Sequence, residues 1–201
     1  RVTAKLAMSL DGRTAMASGE SQWITGPAAR ADVQRLRARS CVIVSGADTV
    51  LLDQARLTVR AEQLELPEPQ KTLALNTPAM RVVVDSRHRV PFNATFYQAD
   101  NAWLACCQPP EQQLPEQAGL LLLPEQNGQV DLPALLRKLA GEHEVNEVLV
   151  EAGAKLCGAF LQAGLLDELV IYVAPKLLGS EARPLFDLPL VSMAQAMDLQ
   201  I

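Results

Sequence analysis

The sequence predicts an α/β domain, with helices layered on a mostly parallel sheet. Short unbroken apolar runs such as Val42-Ile43-Val44 and Val82-Val83-Val84 are the mark of strands buried on both faces. Helix-like segments alternate with these runs, the pattern of strand–helix–strand units. The chain has 201 residues, 49% apolar and 20% charged. That length suits one domain and buries roughly two thirds of the unfolded surface without help from disulfides or metals.

Taken in order, Val2 to Ser9 reads as a strand ending at the turn pair Asp11-Gly12. Thr25-Gly26-Pro27 opens a helix through AARADVQRLRARS, with Thr25 as N-cap, Pro27 in the first turn and arginines gathered late. Cys41 to Val44 is a strand, and Ser45-Gly46-Ala47-Asp48 after it reads as an Asx-type turn or a glycine-bearing ligand turn. Arg60 to Lys71 and Gln108 to Gln117 are polar and proline-bearing, hence surface loops. Arg81 to Val84, Ala102 to Cys107 and Leu120 to Leu123 are further strands. Asp131 caps a helix that sets Leu132, Leu135, Leu136 and Leu139 on one face. Glu147 to Val150 is a strand, Ala154 to Leu165 a helix and Leu169 to Val173 a strand.

Composition excludes several classes. The formal charge is −5 and the pI about 5.1, so the chain lacks the basic face of a nucleic-acid binder. One small anion needs only a local cluster of donors and stays compatible with that charge. Cys41, Cys106, Cys107 and Cys157 form no C-x-x-C pair and read as buried free thiols of a reducing, cytoplasmic compartment. His88 and His143 stand apart from the cysteines as surface residues, so no zinc set is expected. The methionines, Met8, Met16 and Met80 among them, read as core filler. No apolar run is long enough to span a membrane, and Arg1-Val2-Thr3 carries no signal-peptide pattern. The chain begins straight in a strand, as a piece of a longer protein would.

In a parallel sheet, ligands sit at the carboxyl ends of the strands. After Val150 come Glu151, Ala152 and Gly153, then a helix containing Gly158. A helix start presents free N–H groups and partial positive charge, and glycine lets a phosphate approach the backbone. The same glycines serve equally well for close strand–helix packing. The stretch is neither G-x-G-x-x-G nor a G-K-[ST] phosphate loop. Lys5 inside the first strand faces either solvent or a site, and Arg37 and Arg60 are either solvated or a fork for an anion. On these residues a phosphate-bearing ligand, a nucleotide, is favoured, and the reaction stays open.

Three strings carry a resemblance: KLAMSLDGRTAMASGESQWITGPAAR (residues 5–30), GADTVLLDQARLTVR (residues 46–60) and VEAGAKLCGAFLQAGLLDELVIYVAPKLLG (residues 150–179). Their order and spacing resemble the reductase domain of the bifunctional riboflavin-biosynthesis deaminase–reductases over nearly the whole chain. The resemblance implies a dihydrofolate-reductase-like three-layer fold, NADPH as cofactor, a homodimer, and 5-amino-6-(5-phosphoribosylamino)uracil as substrate, reduced to the ribityl compound. Such domains are normally fused to a zinc deaminase. The H-x-E and P-C-x-x-C stretches of that half are missing here, so residues 1–201 are expected to be the reductase domain alone. The family continues into one more strand past the point where this chain reads Asp198-Leu199-Gln200-Ile201, and that strand is expected to be lacking.

Residue by residue, the resemblance implies that Lys5 lies near the reacting sugar and that Ser21, Arg37, Leu57, Arg60 and Glu151 contact the substrate. It implies cofactor contacts at Ala7, Trp23, Thr49, Asp53 and Ser86. It further implies that Gly153, Ala154, Lys155, Leu156, Cys157, Gly158 and Ala159 hold the cofactor phosphates. Lys5 and Glu151 are the expected catalytic pair, with Asp53 a rival for proton transfer, and Arg60 with Arg37 the expected phosphate cations. The chain departs from the family pattern A-D-D-P-x-L-T-V-R at residues 52–60, where Gln54 and Ala55 replace an acid and a proline. It also has Glu151-Ala152-Gly153 for the common Glu-Gly-Gly. Two other readings stay in view: a reductase of a different substrate on this fold, such as a folate, and a domain that has lost activity and only stabilises a partner.

Overall fold

The structure is a computed structural model and describes residues 1–21 and 23–200. Its strands are β1 (Val2–Ser9), β2 (Arg13–Ala15), β3 (Val42–Gly46), β4 (Met80–Val84), β5 (Ala102–Cys106), β6 (Gly119–Leu122), β7 (Glu125–Gln126), β8 (Gln129–Val130), β9 (Val148–Val150), β10 (Glu168–Ala174) and β11 (Arg183–Pro184). Its α-helices are α1 (Pro27–Arg39), α2 (Ala47–Asp53), α3 (Gln70–Asn76), α4 (Leu132–Glu142) and α5 (Ala154–Gln162). Seven strands form one sheet in the order β10-β1-β9-β3-β4-β5-β6. Each neighbouring pair in it is parallel.

The apolar runs fill both faces of this sheet because successive side chains point opposite ways. Val42, Val44, Val82, Ala105, Leu121 and Val150 pack with Leu132, Leu135 and Leu139 of α4 and Cys157 and Phe160 of α5. Their neighbours Ile43, Val83, Leu104, Cys106 and Leu149 pack on the other side with Leu36 of α1, Ala47 and Val50 of α2, and Phe96 and Tyr97. Helix, sheet and helix thus make three layers. Each fully buried Leu or Val contributes about 1.5–3 kcal/mol, so these two cores dominate the stabilisation.

Local chemistry explains some element ends. The Asp131 side chain accepts from the Ala134 N–H at 2.7 Å and caps α4 as expected. Gly12 turns the chain after β1 at φ +71°, and Gly164 follows α5 at φ +64°.

Several expectations are corrected. Thr25 is not the N-cap of α1; Gly26 takes that position without a side-chain bond, and the Thr25 carbonyl accepts from Arg30 Nη1. Residues 45–48 are not an Asx turn but lead into the helix α2. The 60–71 stretch holds a 3₁₀ turn at Ala61–Gln63, the buried Leu64 and the start of α3. Helix α5 stops at Gln162 rather than Leu165. Cys41, ahead of β3, is exposed, and Cys107 is half-buried. Met16, Met193 and Met197 are exposed rather than core filler. His88 and His143 are half-buried, and the His143 ring meets Trp103 edge-on at 4.8 Å. No helix among the described residues is long and apolar enough to cross a membrane. None of their His, Cys, Asp or Glu side chains groups in threes fit to hold a metal.

Candidate active site

From β3 the chain steps outward to β4, β5 and β6, while β1 and β10 lie on the other side of β9. The strand order therefore reverses around β9, the place where a parallel sheet opens a crevice at its carboxyl ends. A cavity of about 1600 Å³ lies there, bounded by the ends of β1, β3 and β9 and by α2, α5 and the loop 54–60.

At the base of the cavity stands Glu151, directly after β9 and only 6% exposed. Its backbone is fixed on both sides: its N–H donates to the Val44 carbonyl at 2.9 Å, and its carbonyl accepts from Ser45 Oγ at 2.6 Å. Its carboxylate accepts from Arg37 Nε at 2.6 Å and Arg37 Nη2 at 3.1 Å, and Lys5 Nζ lies 3.5 Å away. Arg37 reaches in from α1 and Lys5 from β1. Burial alone would push the Glu151 carboxyl up, but the adjoining Arg37 and Lys5 cations hold it down at about 2. Burial likewise disfavours the Arg37 charge, and Glu151 more than offsets it, so that guanidinium is raised above its ordinary value. The third nitrogen of Arg37, Nη1, donates to the Thr58 carbonyl at 2.8 Å.

One wall is the start of α5. Gly153 is its N-cap, no side chain caps it, and a Cβ built there meets nothing within 4 Å. Gly153, Ala154 and Lys155 all line the cavity, so the uncapped first turn of α5 borders it, an anion-binding arrangement. Glu151, two residues upstream, points instead at Arg37 and Lys5, so carboxylate and helix start do not compete for one ligand.

The opposite wall is α2 with the loop 54–60. Thr49 and Asp53 line it from α2, and the Asp53 carboxylate accepts from Ser21 Oγ at 2.9 Å. Leu57 is buried at φ +58° and Arg60 is exposed. The Arg60 side chain makes no hydrogen bond or ion pair with the described residues, while its N–H donates to Gln34 Oε1 at 2.9 Å. Trp23 and Ala7 also line the cavity; Lys176 Nζ donates to the Trp23 carbonyl at 2.7 Å and the Arg30 guanidinium lies 4.8 Å from the Trp23 ring.

The cavity lining thus gathers Lys5, Ala7, Ser21, Trp23, Arg37, Thr49, Asp53, Leu57, Arg60, Glu151, Gly153, Ala154, Lys155, Leu156 and Ala159. Three expected residues lie outside it. Ser86 is not in the lining, but its Oγ donates at 3.4 Å to Oε1 of Gln129, which is. Cys157 is fully buried, donates to the Ala152 carbonyl, and burial raises its thiol to about 11, so it offers no nucleophile. Gly158 packs against the Asp187 backbone, where a Cβ would collide with that carbonyl oxygen. Sequence reasoning passed over Arg30, Arg183 and the Arg89–Asp48 pair (2.6 Å), all at the cavity wall. Nothing in their sequence neighbourhood distinguishes them from solvated arginines.

Comparison with known proteins gives a consistent answer. Residues 1–200 match the family described as the RibD C-terminal domain. The riboflavin biosynthesis protein RibD of Escherichia coli K12 is 50% identical over 190 residues, which are 92% of this chain and 51% of that protein. A 5-amino-6-(5-phosphoribosylamino)uracil reductase of Buchnera aphidicola is 38% identical over 176 residues, 85% of this chain and 83% of that one. Among solved structures, Acinetobacter baumannii RibD superposes with a TM-score of 0.84 at 42% identity, covering 99% of this chain and 52% of that chain. The fold is the dihydrofolate-reductase-like one of these reductases. The chain spans about half the length of its RibD relatives. With the family matched along nearly every residue, the chain belongs to the RibD C-terminal domain family.

Proposed function

We propose that this domain reduces 5-amino-6-(5-phosphoribosylamino)uracil to 5-amino-6-(5-phosphoribitylamino)uracil with NADPH, a step of riboflavin biosynthesis. The observation that carries this reading is the pairing, in one cavity, of an open helix start at Gly153 with the cations of the opposite side, Arg60 above all. The two could take up the phosphates of two different ligands. The uncapped N–H groups of α5, with Lys155 beside them, suit the phosphates of a dinucleotide. NADPH supplies a hydride. Thr49, Asp53 and Trp23, which line the same cavity, would orient that cofactor.

Ring opening of the ribosylamine leaves an imine at the first sugar carbon; hydride and one proton complete the reduction. The chain must bring donor and acceptor carbons to roughly 3–3.5 Å and exclude water, which asks for positioning rather than a protein nucleophile. Arg60 binds the sugar phosphate at the cavity rim. Glu151, held ionised at about 2 between two cations, is a poor proton donor at neutral pH. It acts by anchoring Lys5 and Arg37 and by accepting hydrogen bonds from the substrate. Lys5, whose Nζ lies 3.5 Å from that carboxylate, passes the proton to the substrate in this reading. A homodimer in the cytoplasm, fused in the longer relatives to a deaminase domain, completes this reading.

The test is loss of reduced-nicotinamide absorbance with the phosphoribosylamino-uracil substrate and NADPH. Turnover that appears with this substrate and not with a dihydropterin supports the reading. Intact cofactor binding without turnover refutes it in favour of a silent domain.

A further inference from the structure

Arg81 is the one fully buried arginine among the described residues, at 2% exposure, and it lies outside the cavity lining. Removing a guanidinium from water is costly unless its donors are met. Here the four Nη donors are met by four backbone carbonyls and by no carboxylate. Nη1 donates to Arg56 at 2.7 Å and Phe96 at 2.8 Å; Nη2 donates to Ala99 at 2.5 Å and Asp100 at 2.6 Å. The guanidinium also sits 4.9 Å from the Phe96 ring.

Three of these acceptors belong to the 96–100 segment behind β4. The fourth, Arg56, belongs to the loop that carries Leu57 and Arg60 to the cavity. That loop is unusual. Gln54 (φ +48°) and Leu57 (φ +58°) both occupy left-handed backbone without being glycine. Such conformations persist only where the surroundings hold them. The holds alternate along the loop. The Gln54 carbonyl accepts from Thr95 Oγ1 at 3.0 Å, the Arg56 carbonyl from Arg81, and the Thr58 carbonyl from Arg37 Nη1 at 2.8 Å. Thr95 in turn begins the short 3₁₀ segment Thr95–Gln98, whose Phe96 carbonyl Arg81 also grips. Arg81 therefore holds the loop directly and through the segment that braces it.

We propose that Arg81 is a positioning residue for the reductase site, whose buried guanidinium fixes the 54–60 loop and so sets where Leu57 and Arg60 meet the substrate. This rests on the reading of that loop as the substrate-binding one. Arg81 touches no reacting group; it acts through the backbone of Arg56. Small displacements of a binding loop cost far more in rate than in stability, because contacts must hold to a fraction of an ångström.

The experiment compares R81M, R81K, T95V and R60A in steady-state kinetics, with hydrogen–deuterium exchange of the 54–64 backbone. R81M is expected to raise KM for the phosphoribosyl substrate about 10- to 100-fold, with KM for NADPH within about threefold of the parent. R81K, which keeps the charge and part of the fork, should fall between, and T95V should shift the same constant less. Amide exchange should quicken at Leu57–Arg60 and stay slow in β4 and β5. Where R81M does not fold, R81K and T95V carry the comparison. If these variants only lower the melting temperature, leaving KM and loop exchange of the folded protein unchanged while R60A raises KM, the positioning role is wrong. If R60A itself leaves KM unchanged, the loop is not the substrate loop, and both the site reading and the role of Arg81 fall.

Discussion

The base and the rim of the cavity hold charge in opposite ways. At the base, Glu151 is buried and gripped by Arg37 and Lys5. At the rim, Asp53 is exposed with a single hydroxyl partner, Ser21, and Arg60 has no side-chain partner among the described residues. A buried, fully paired cluster is a rigid frame: its members cannot leave each other without leaving a charge unpaired in low dielectric. A solvated residue exchanges partners at little cost, which is what capture of a ligand needs. The base is therefore built to orient and the rim to recruit.

The largest effect that would break this contrast is at the base. Glu151→Ala strands Arg37 and Lys5, and removing one partner of a buried pair is expected to cost about 3 kcal/mol or more of stability, with activity essentially abolished. Chemical denaturation and steady-state rates measure both. The pH dependence has a definite sign. The folded carboxyl titrates at about 2 against an ordinary 4.5, so the stability it contributes is present in full above about 4.5 and is lost as pH falls towards 2. Glu151→Gln should flatten that limb of the stability–pH curve. An unchanged acid limb would mean the cluster is not the frame described.

At the rim the expected effect is smaller and confined to binding. Arg60→Ala should raise KM for the phosphorylated substrate about 10- to 100-fold, the worth of one or two hydrogen bonds to a charged group, while kcat changes little. Melting temperature should hold within a degree or two of the parent, since an exposed guanidinium contributes little to the fold. A fall in kcat with KM unchanged would place Arg60 in the frame rather than the rim.

Much of the layer architecture is legible in the sequence because strands buried on two faces announce themselves as unbroken apolar runs. Val42-Ile43-Val44 and Val82-Val83-Val84 serve both cores at once. Short helices are less legible. Helix α2 has seven residues, too few for a 3.6-residue period to show, and Asp48 in its first turn suits an Asx turn equally well. The cap of α1 is not legible because Thr25 is a good capping residue one position too early, with Gly26 in the extended conformation a cap requires. At the site, the glycine after β9 and the acid before it are visible in the sequence. The direction of that acid is not, since Arg37 lies 114 residues away on α1 and meets it only in the folded chain. The expectation that seven consecutive residues, Gly153 to Ala159, all face the cofactor conflicts with helical geometry. Residues on one face recur every three or four positions, so Cys157 and Gly158 turn inward while Leu156 and Ala159 face the cavity.

That helix supplies the finest test of the contrast, because it has one glycine on each side of it. Gly158 belongs to the packed layer: a Cβ there meets the Asp187 carbonyl, a backbone atom that cannot rotate away. Overpacking of this kind costs about 1–3 kcal/mol, partly offset by the roughly 1 kcal/mol that alanine gains over glycine inside a helix. Gly158→Ala should therefore lower stability by about 1 kcal/mol and leave the cofactor KM of the folded protein near its parent value. Gly153 belongs to the open side: its backbone (φ −77°, ψ 179°) is ordinary for any residue, and an added methyl touches no protein atom. Gly153→Ala should cost only the N-cap preference of glycine over alanine, about 0.5–1 kcal/mol, and raise the cofactor KM several-fold, because the methyl occupies the space a phosphate needs. Thermal denaturation and NADPH titration of the two variants separate these outcomes. Were the pattern reversed, with cofactor affinity following Gly158 and not Gly153, the start of α5 would be a packing element and the phosphates would have to be held elsewhere.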